Sequence, residues 1–588
     1  MDPDRLSEEK RRGLTIDLGF AWTTLPSGRE IGFVDVPGHE RFIRNMLAGV
    51  GPVRLVLFVV AADEGWKPQS EEHLQIVDVL GAHGGVIAVT KADLVDGDAL
   101  TARIEQIRER LAGTRLAETA VIACSSATGQ GLDEIRAALD RMVDAAPPPE
   151  SNGRPRQYLD RVFTIRGSGT VVTGTLTGGS LAVGQQAEIL PSGHRARIRG
   201  LQTHKRTLQT ARPVSRLAVN LVGTPREALE RGDVLSLTGQ WRPTRVLEGW
   251  LRPVRGLGHA LTSRGAYKLY AGSAERDARL RVLAAPEVLP GETAFVRITL
   301  NRPVVLDVGD PFVLREAGRR ETVAGGRVLD TDPPAGVADP VERLRRRMDI
   351  GRPELARQLV LERGAIRLSD VRILTGASAP DASEAGVRLG SWMVAPGLIE
   401  SAGSALTEAL RRHHADHPLV EGLPLADARG VLATSHPALF DPDLADAVLA
   451  HMGEDGGVAR TATAVRLTEH QPTTAGREDA ERLIEAVRNA EPTPPTLKEL
   501  VAAGFGRELI DAVCAEGRLV KVSADLVVSP EFIARAEEAV RAGGTAGTTV
   551  SDFRQALGTS RKYALPILEY FDARGLTRRQ GDLRVLRV

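Results

Sequence analysis

One short stretch limits what this chain can fold into more than any other. Ile31 to Val36 is an apolar run that reads as a buried strand, and Pro37-Gly38 turns the chain immediately after Asp35. A helical pattern, Phe42 to Leu47, follows. An acid at the carboxyl end of a buried strand, beside a glycine with a free backbone N–H, is a place to hold a metal-bound phosphate. In that reading Asp35 takes Mg²⁺ through a water, the Gly38 N–H faces a γ-phosphate and His39 orients an attacking water. Alone, the pattern is met equally by a strand, turn and helix with a capping acid.

Its neighbours decide between the two. Upstream stands Arg12-Gly13-Leu14-Thr15-Ile16-Asp17. Downstream, a strand at Gly85 to Val89 runs into Thr90-Lys91-Ala92-Asp93, and one at Ala120 to Ala123 runs into Cys124-Ser125-Ser126-Ala127-Thr128-Gly129. A carboxylate such as Asp93 after a strand accepts both N–H donors of a guanine edge, while the Lys91 stem lies along the ring. Four elements in this order, each at a strand end, resemble the G domain of translational GTPases. The likeness implies GTP and GDP as ligands, with Mg²⁺ held by Thr15 and Asp35, and backbone near Ser125 and Ser126 against the guanine oxygen.

A length of 588 residues is too great for one core and predicts about four domains. Net charge is zero, so a nucleic-acid surface has to be local. Cys124 and Cys514 are the only cysteines, which excludes a disulfide scaffold. No apolar run reaches transmembrane length and the opening residues are charged, so a cytoplasmic protein without membrane contact is expected.

Patterns then divide the chain. Residues 1–147 alternate strand-like and helical runs, as a mostly parallel sheet covered by helices does. Residues 154–240 and 244–331 are short strands with glycine turns, predicting two small antiparallel barrels. Beyond Asp332-Pro333-Pro334 the chain turns Ala-, Leu- and Arg-rich, and helical stretches are repeatedly followed by short strand pairs. This predicts four winged helices, at 338–398, 399–472, 476–545 and 547–588. The fold class is therefore multidomain: a P-loop-type α/β G domain, two β-barrels and tandem winged-helix α+β domains.

A phosphate-binding loop of the form GxxxxGK[ST] is not in the sequence, since none of the eight lysines follows a glycine. The pattern predicts that the first strand, the P-loop and a helix, roughly two dozen residues, belong ahead of Met1. The competing reading is an RNA- or tRNA-binding adaptor that has lost nucleotide binding, and genomic sequence upstream of Met1 separates the two. GTPase activity is expected only with the P-loop in place.

The last unit carries the clearest local charge. From Thr549 to Val588 there are eight basic residues against four acids, inside a neutral protein. Ser560-Arg561-Lys562-Tyr563 opens a helix with a hydroxyl at its cap, and Pro566 kinks that helix or lies in its early turns. Leu576 to Arg579 and Leu583 to Arg587 can pair across Gln580-Gly581-Asp582. A basic helix start and a basic wing suit nucleic acid, through Ser560, Arg561, Lys562, Tyr563, Arg578 and Arg579.

Taken together, the segment Asp4 to Gly19, the Asp35–His39 motif, Asn45 to Gly49, Thr90–Asp93, Arg161-Val162-Phe163-Thr164 with Thr173-Gly174-Thr175, and the Ser560 and Thr577 segments resemble the bacterial selenocysteine-specific elongation factors. The resemblance implies a monomer that, in its GTP state, carries selenocysteyl-tRNA to the ribosome at UGA codons. Its last winged helices would hold a messenger RNA hairpin, Thr15 would close on Mg²⁺ and release it after hydrolysis, and His39 would be catalytic. It also implies an amino-acid pocket between the G domain and the first barrel, at Arg161, Arg216 and Asp17.

Overall fold

Residues 17–38, 45–47, 55–166, 169–334, 336, 339–378, 381 and 383–587 are described by a computed structural model. Two units arise from the packing: residues 1–362 with 366–386, and residues 363–365 with 387–588.

The first unit opens with an antiparallel hairpin, β1 (Gly19–Thr24) and β2 (Glu30–Asp35), with Gly19 opposite Asp35. Then come β3 (Leu55–Ala61), α1 (Pro68–Leu80), β4 (Gly84–Thr90), α2 (Gly97–Leu111), β5 (Ala120–Ala123) and α3 (Leu132–Ala145). Strands β3, β4 and β5 form a parallel sheet in that order. In the middle strand Val86, Ile87, Ala88 and Val89 are all buried, because a parallel strand covered on both faces has no solvent side. Pro68 starts α1 where a missing N–H costs nothing, and Gly81 ends it in the left-handed conformation. The Asp96 carboxylate accepts the Ala99 N–H and caps α2. The alternation of strands and helices is as expected, whereas β1 was not read from the sequence. Its run Gly-Phe-Ala-Trp-Thr-Thr lacks alternating burial, with four consecutive half-buried residues.

Two barrels follow. In the first, the strands Gln186–Leu190, Val234–Leu237, Arg156–Tyr158, Gly169–Thr177, Ser215–Val222 and His194–Thr203 neighbour one another in that order, and the last pairs with the first to close a ring of six. The run Tyr158 to Ile165, which alternates as one strand, is broken into two, Arg156–Tyr158 and Arg161–Ile165. The second barrel closes through Thr244–Pro253, Ala294–Val304, Ala274–Val282, Tyr267–Ala271, Pro311–Glu316 and Glu321–Asp330. Along Ala274–Val282 every second side chain is inside, the signature of a strand with one wet face.

Helix α1 docks on the second barrel. Ile76 and Val79 share a core with Leu251, Phe312 and Val323. Gly325 lets the helix in, since a Cβ there would sit 2.4 Å from Val79 Cβ. Ion pairs from Arg252 to Asp78 (2.8 Å) and Arg315 to Glu72 (3.2 Å) frame the contact.

After the second barrel, helix Pro340–Arg346 brings two arginines into a buried cluster of acids. Arg343 binds Glu248 and, at 2.5 Å, Asp330; Arg347 binds Asp330 at 2.9 Å and Glu362 at 2.5 Å. The Glu248 side chain is wholly buried, and Arg297 holds its other oxygen at 2.7 Å. Each charge has a partner, which is what permits burial.

The second unit repeats one plan. Helices Leu425–Ser435 and Pro442–Glu454, following helix Pro396–Asp416, lead to the hairpin Val458–Arg460/Ala464–Leu467. Helices Glu478–Asn489, Leu497–Ala502 and Arg507–Ala515 lead to Val520–Ser523/Leu526–Val528. Helices Pro530–Ala542, Val550–Ala556 and Arg561–Ala573 lead to Thr577–Gln580/Leu583–Leu586. Each triplet of helices encloses leucines, valines and alanines, and its hairpin is the wing.

Two consequences can be measured. Replacing Arg343 by Met removes one of two arginine partners from each of two buried carboxylates, leaving Glu248 to Arg297 and Asp330 to Arg347, so the first unit should lose stability by up to about 3 kcal/mol. Scanning calorimetry should show this, while Arg345→Met, whose side chain is 64% exposed, leaves the transition unmoved. In the second unit His414 stacks on His470 at 3.7 Å, and burial, with His470, His413 and Arg466 nearby, pushes its pKa down to about 4. A folded-state pKa below the unfolded 6.5 means that the stabilisation is present above that value and is lost as pH falls from 6.5 towards 4. The second unit's transition should move down across this window, and less so in His414→Gln.

Candidate functional site

The ends of β4 and β5 lie side by side, and the two loops that leave them are bonded together. The Cys124 N–H donates to Val89 O at 2.8 Å and the Ala92 N–H to Cys124 O at 3.1 Å. Lys91 takes a left-handed backbone, φ 55°, which a non-glycine residue adopts rarely and most often where function requires it. Its ammonium reaches Asp63 at 3.0 Å and Glu64 at 3.3 Å. These hydrogen bonds raise the Lys91 pKa and lower that of Asp63, while Glu64 is lowered by Lys67 first and Lys91 second. Gly131 is required on the other side: at φ 70° a Cβ there would fall 2.0 Å from Ala123 O. Thr90, Lys91, Asp93, Ser125 and Ser126 thus meet at one corner of the sheet. The two serines differ in a way the sequence does not disclose. Ser125 is buried, its N–H donates to Gln130 O, and its hydroxyl accepts from Ala127 and Thr128 N–H at 3.1 and 3.2 Å. It braces the loop, and Ser126 is the exposed member, beside exposed Asp93.

Of the residues expected to face phosphate, Asp35 ends β2 half-buried and Gly38 is exposed. Thr15 and His39 lie outside the described residues. The Asp35 carboxylate is a hard oxygen donor at a strand end, which fits a Mg²⁺ ion that keeps most of its waters. Among the described residues the outer edges of β2 and β3 have no partner strand. Between them runs a cleft of about 1330 Å³, lined there by Ile31, Phe33, Leu55, Leu57, Leu139 and Met142.

The same cleft continues to Arg161, Arg216 and Thr173 of the first barrel. Asp17 pairs with Arg161 at 3.1 Å, and Arg161 also donates to Leu18 O. Arg216 is held by both oxygens of Asp160 and lies over the Phe20 ring, its Cζ 3.7 Å from the centroid. Arg161 lies 5.1 Å from the same centroid. The structure thus gathers Asp17, Arg161 and Arg216, expected to belong together, around one phenylalanine. It adds three residues the sequence reading missed: Phe20, Asp160, and Arg231, which is 4.0 Å from Asp17 and bonded to Asn45 at 2.8 Å. Asp160 sits at the break between two strands, inside a run that alternates as one strand, so no sequence signal marked it. These three arginines and two aspartates sum to one positive charge.

In the last hairpin unit Arg561 and Lys562 are exposed in the first turn of helix Arg561–Ala573, and Arg578 and Arg579 are exposed on the first wing strand. Tyr563 is half-buried, with the Lys562 ammonium 5.2 Å from its ring centroid. Ser560 stands at the cap but its hydroxyl makes no capping bond. Pro566 lies inside the helix and withholds the N–H that the Lys562 carbonyl would otherwise receive. Two details depart from the sequence reading. Gln580 belongs to the wing strand, paired with Leu583, so the turn is Gly581-Asp582 alone. Arg584 is buried against Asp572 at 2.7 Å and braces the wing instead of presenting its charge.

An α/β sheet whose strand-end loops gather at one corner, followed by two six-stranded barrels, is the architecture of GTP-binding translation factors. Residues 2–145 match the elongation factor Tu GTP binding domain and residues 169–236 match elongation factor Tu domain 2. Residues 257–335 match the selenocysteine-specific elongation factor β-barrel domain, and residues 544–586 the elongation factor SelB winged helix. The chain is 32% identical to the selenocysteine-specific elongation factor of Desulfomicrobium baculatum, over 99% of this chain and 95% of that protein. It is 30% identical to that of Escherichia coli strain K12, over 100% of this chain and 95% of that protein. A crystal structure of a bacterial selenocysteine-specific elongation factor, EF-Sec, superposes with a TM-score of 0.71 at 22% identity, covering 100% of this chain and 96% of that one. This chain belongs to the selenocysteine-specific elongation factors, GTP-binding proteins with a winged-helix tail. No described helix is long and apolar enough to cross a membrane.

Proposed function

We propose that this protein delivers selenocysteyl-tRNA to the ribosome at UGA codons, as a cytoplasmic monomer, while its tail holds a hairpin in the same messenger RNA. The observation that carries the reading is the meeting of Arg161 and Arg216 over Phe20, with Arg231 beside Asp17, between the G domain and the first barrel. Selenocysteine differs from serine by one atom, yet its selenol is largely ionised at neutral pH and the hydroxyl is not. One charge pair at about 4 Å with an effective dielectric of about 20 is worth about 4 kcal/mol before desolvation. Asp17 and Asp160 already neutralise two of the arginines, so the selenolate gains only a fraction of that. A third still exceeds a factor of about nine, since about 1.4 kcal/mol is tenfold. In the same proposal GTP sits with its base at Asp93 and Ser126, Lys91 along the ring and Asp35 toward Mg²⁺, which neutralises phosphate charge when bound. Thr15 and His39 are assigned switch and water-orienting roles from their place in the sequence motifs.

Charge in the tail divides in a way that supports RNA binding at its end. Residues 399–545 hold 24 acids and 14 lysines and arginines, a net charge of −10, whereas residues 549–588 are +4. A polyanion is repelled by the first segment and received by the last.

Two tests follow. Arg216→Ala in protein carrying the P-loop should weaken selenocysteyl-tRNA binding about tenfold and leave weak seryl-tRNA binding unchanged, measured by protection of the aminoacyl ester; an equal loss for both tRNAs places Arg216 on the tRNA body. Replacing Arg561, Lys562, Arg578 and Arg579 together by Ala should abolish binding of the cognate hairpin and flatten its salt dependence by a little under one unit per lost phosphate contact, by analogy with DNA. Unchanged affinity would move the recognition surface elsewhere.

A further inference from the structure

The second barrel carries a cluster that neither the nucleotide, the tRNA nor the RNA reading uses. His259, Glu316 and Glu321 each offer one ligand atom, and these three atoms lie within 4.8 Å of one another, all on half-buried side chains. They come from two places in the chain. His259 is in the loop after strand Thr244–Pro253, and the glutamates close the hairpin Pro311–Glu316/Glu321–Asp330. The hairpin register sets Glu316 directly opposite Glu321. Like charges directly opposite each other in an antiparallel pair are destabilising, so this juxtaposition calls for a cation. Arg319 answers one of the two, at 2.9 Å from Glu316. Glu321 has no hydrogen-bond or ion-pair partner for its side chain among the described residues. The His259 Nε2 stands 3.1 Å from Glu316 Oε2 and points into the same space.

We propose that His259, Glu316 and Glu321 bind a divalent transition-metal cation, of which Zn²⁺ is the best matched. One imidazole nitrogen and two carboxylate oxygens are a donor set that Zn²⁺ accepts at about 2.0–2.2 Å, leaving a position for water. Glutamate side chains are long enough to close the remaining gap by rotation. The metal supplies the charge that Glu321 lacks and ties the loop to the hairpin. Both of those segments touch helix α1: the Arg255 carbonyl accepts from Gln75 at 2.9 Å, and Thr322 donates to Glu72 at 3.0 Å. A bound cation therefore stiffens the platform on which the G domain rests, which makes the site a structural one, remote from the nucleotide corner.

Zn²⁺ titrated calorimetrically into the chelator-treated 588-residue protein should bind with one equivalent in the micromolar range and raise the transition temperature of the first unit. Co²⁺ in its place should give visible absorption of a nitrogen–oxygen site. His259→Ala and the near-isosteric Glu321→Gln should each weaken binding more than tenfold and cancel the thermal shift, while Arg319→Ala should not weaken it. Circular dichroism checks that the variants are folded. Absence of binding to the folded wild type, or binding that persists in Glu321→Gln, overturns the site. So does binding that is lost instead in His413→Ala/His417→Ala, two histidines of the second unit whose rings lie 5.0 Å apart.

Discussion

Helix α1 against the second barrel is the contact on which the first unit depends. The barrel closes around its own apolar side chains, yet Met46, Leu47, Ile76 and Val79 of the G domain belong to the same core. Burying an isoleucine or a valine contributes about 1.5–3 kcal/mol each. The approach is possible because Gly325 leaves the barrel wall bare: a Cβ there would fall 2.4 Å from Val79 Cβ. One small residue in a barrel strand thus permits the nucleotide domain and this barrel to pack as neighbours, while the adjacent Gly326 serves the barrel itself, where a Cβ would strike the Trp250 carbonyl. The ion pairs at Asp78 and Glu72 then fix the helix's rotation, adding specificity more than energy, since they sit at the edge of the apolar patch.

The first barrel meets the G domain differently. Its contacts are polar and aromatic: Arg161 with Asp17, Arg216 over Phe20, and His204 stacked on Trp22 at 5.3 Å. Glu30 adds pairs to Arg206 and His204. Such an interface is weaker per unit area than a hydrophobic core and more readily rearranged. It also leaves the 1330 Å³ cleft along it. One barrel is thus fastened and the other is held by charges that a ligand can compete for. That contrast is consistent with the proposed entry of an amino acid between these two domains.

Buried charge performs a separate task where the second barrel ends. Glu248, Asp330, Arg343, Arg347 and Glu362 come from a barrel strand, the strand beside it and the two helices that follow. A hydrophobic patch would accept the helix in several rotations. A set of paired charges accepts it in one, because any slip leaves a carboxylate or guanidinium unpaired in a site without water.

The sequence by itself determined the fold class, a G domain followed by two barrels and winged helices, and it marked the strand-end loops proposed to hold the nucleotide. Both rest on local signals: the runs ending at Thr90 and Ala123 are parallel neighbours whose polar loops emerge at the same sheet edge, and the run ending at Asp35 closes the preceding hairpin. The basic ends of the last unit were equally legible, because charge on a helix start and on a wing is written in consecutive residues. Tertiary structure alone decided which members of those motifs face outward. Ser125 and Ser126 are indistinguishable in the sequence, yet one is buried and bracing while the other is exposed. Arg584 reads like Arg578 and Arg579, but the pleat turns it inward onto Asp572. Phe20 and Asp160 lie far from Arg216 along the chain, Arg231 sits in a later loop of the same barrel, and no periodicity links them. They come together because the G domain and a barrel, each folded by its own pattern, meet along a surface that neither pattern encodes.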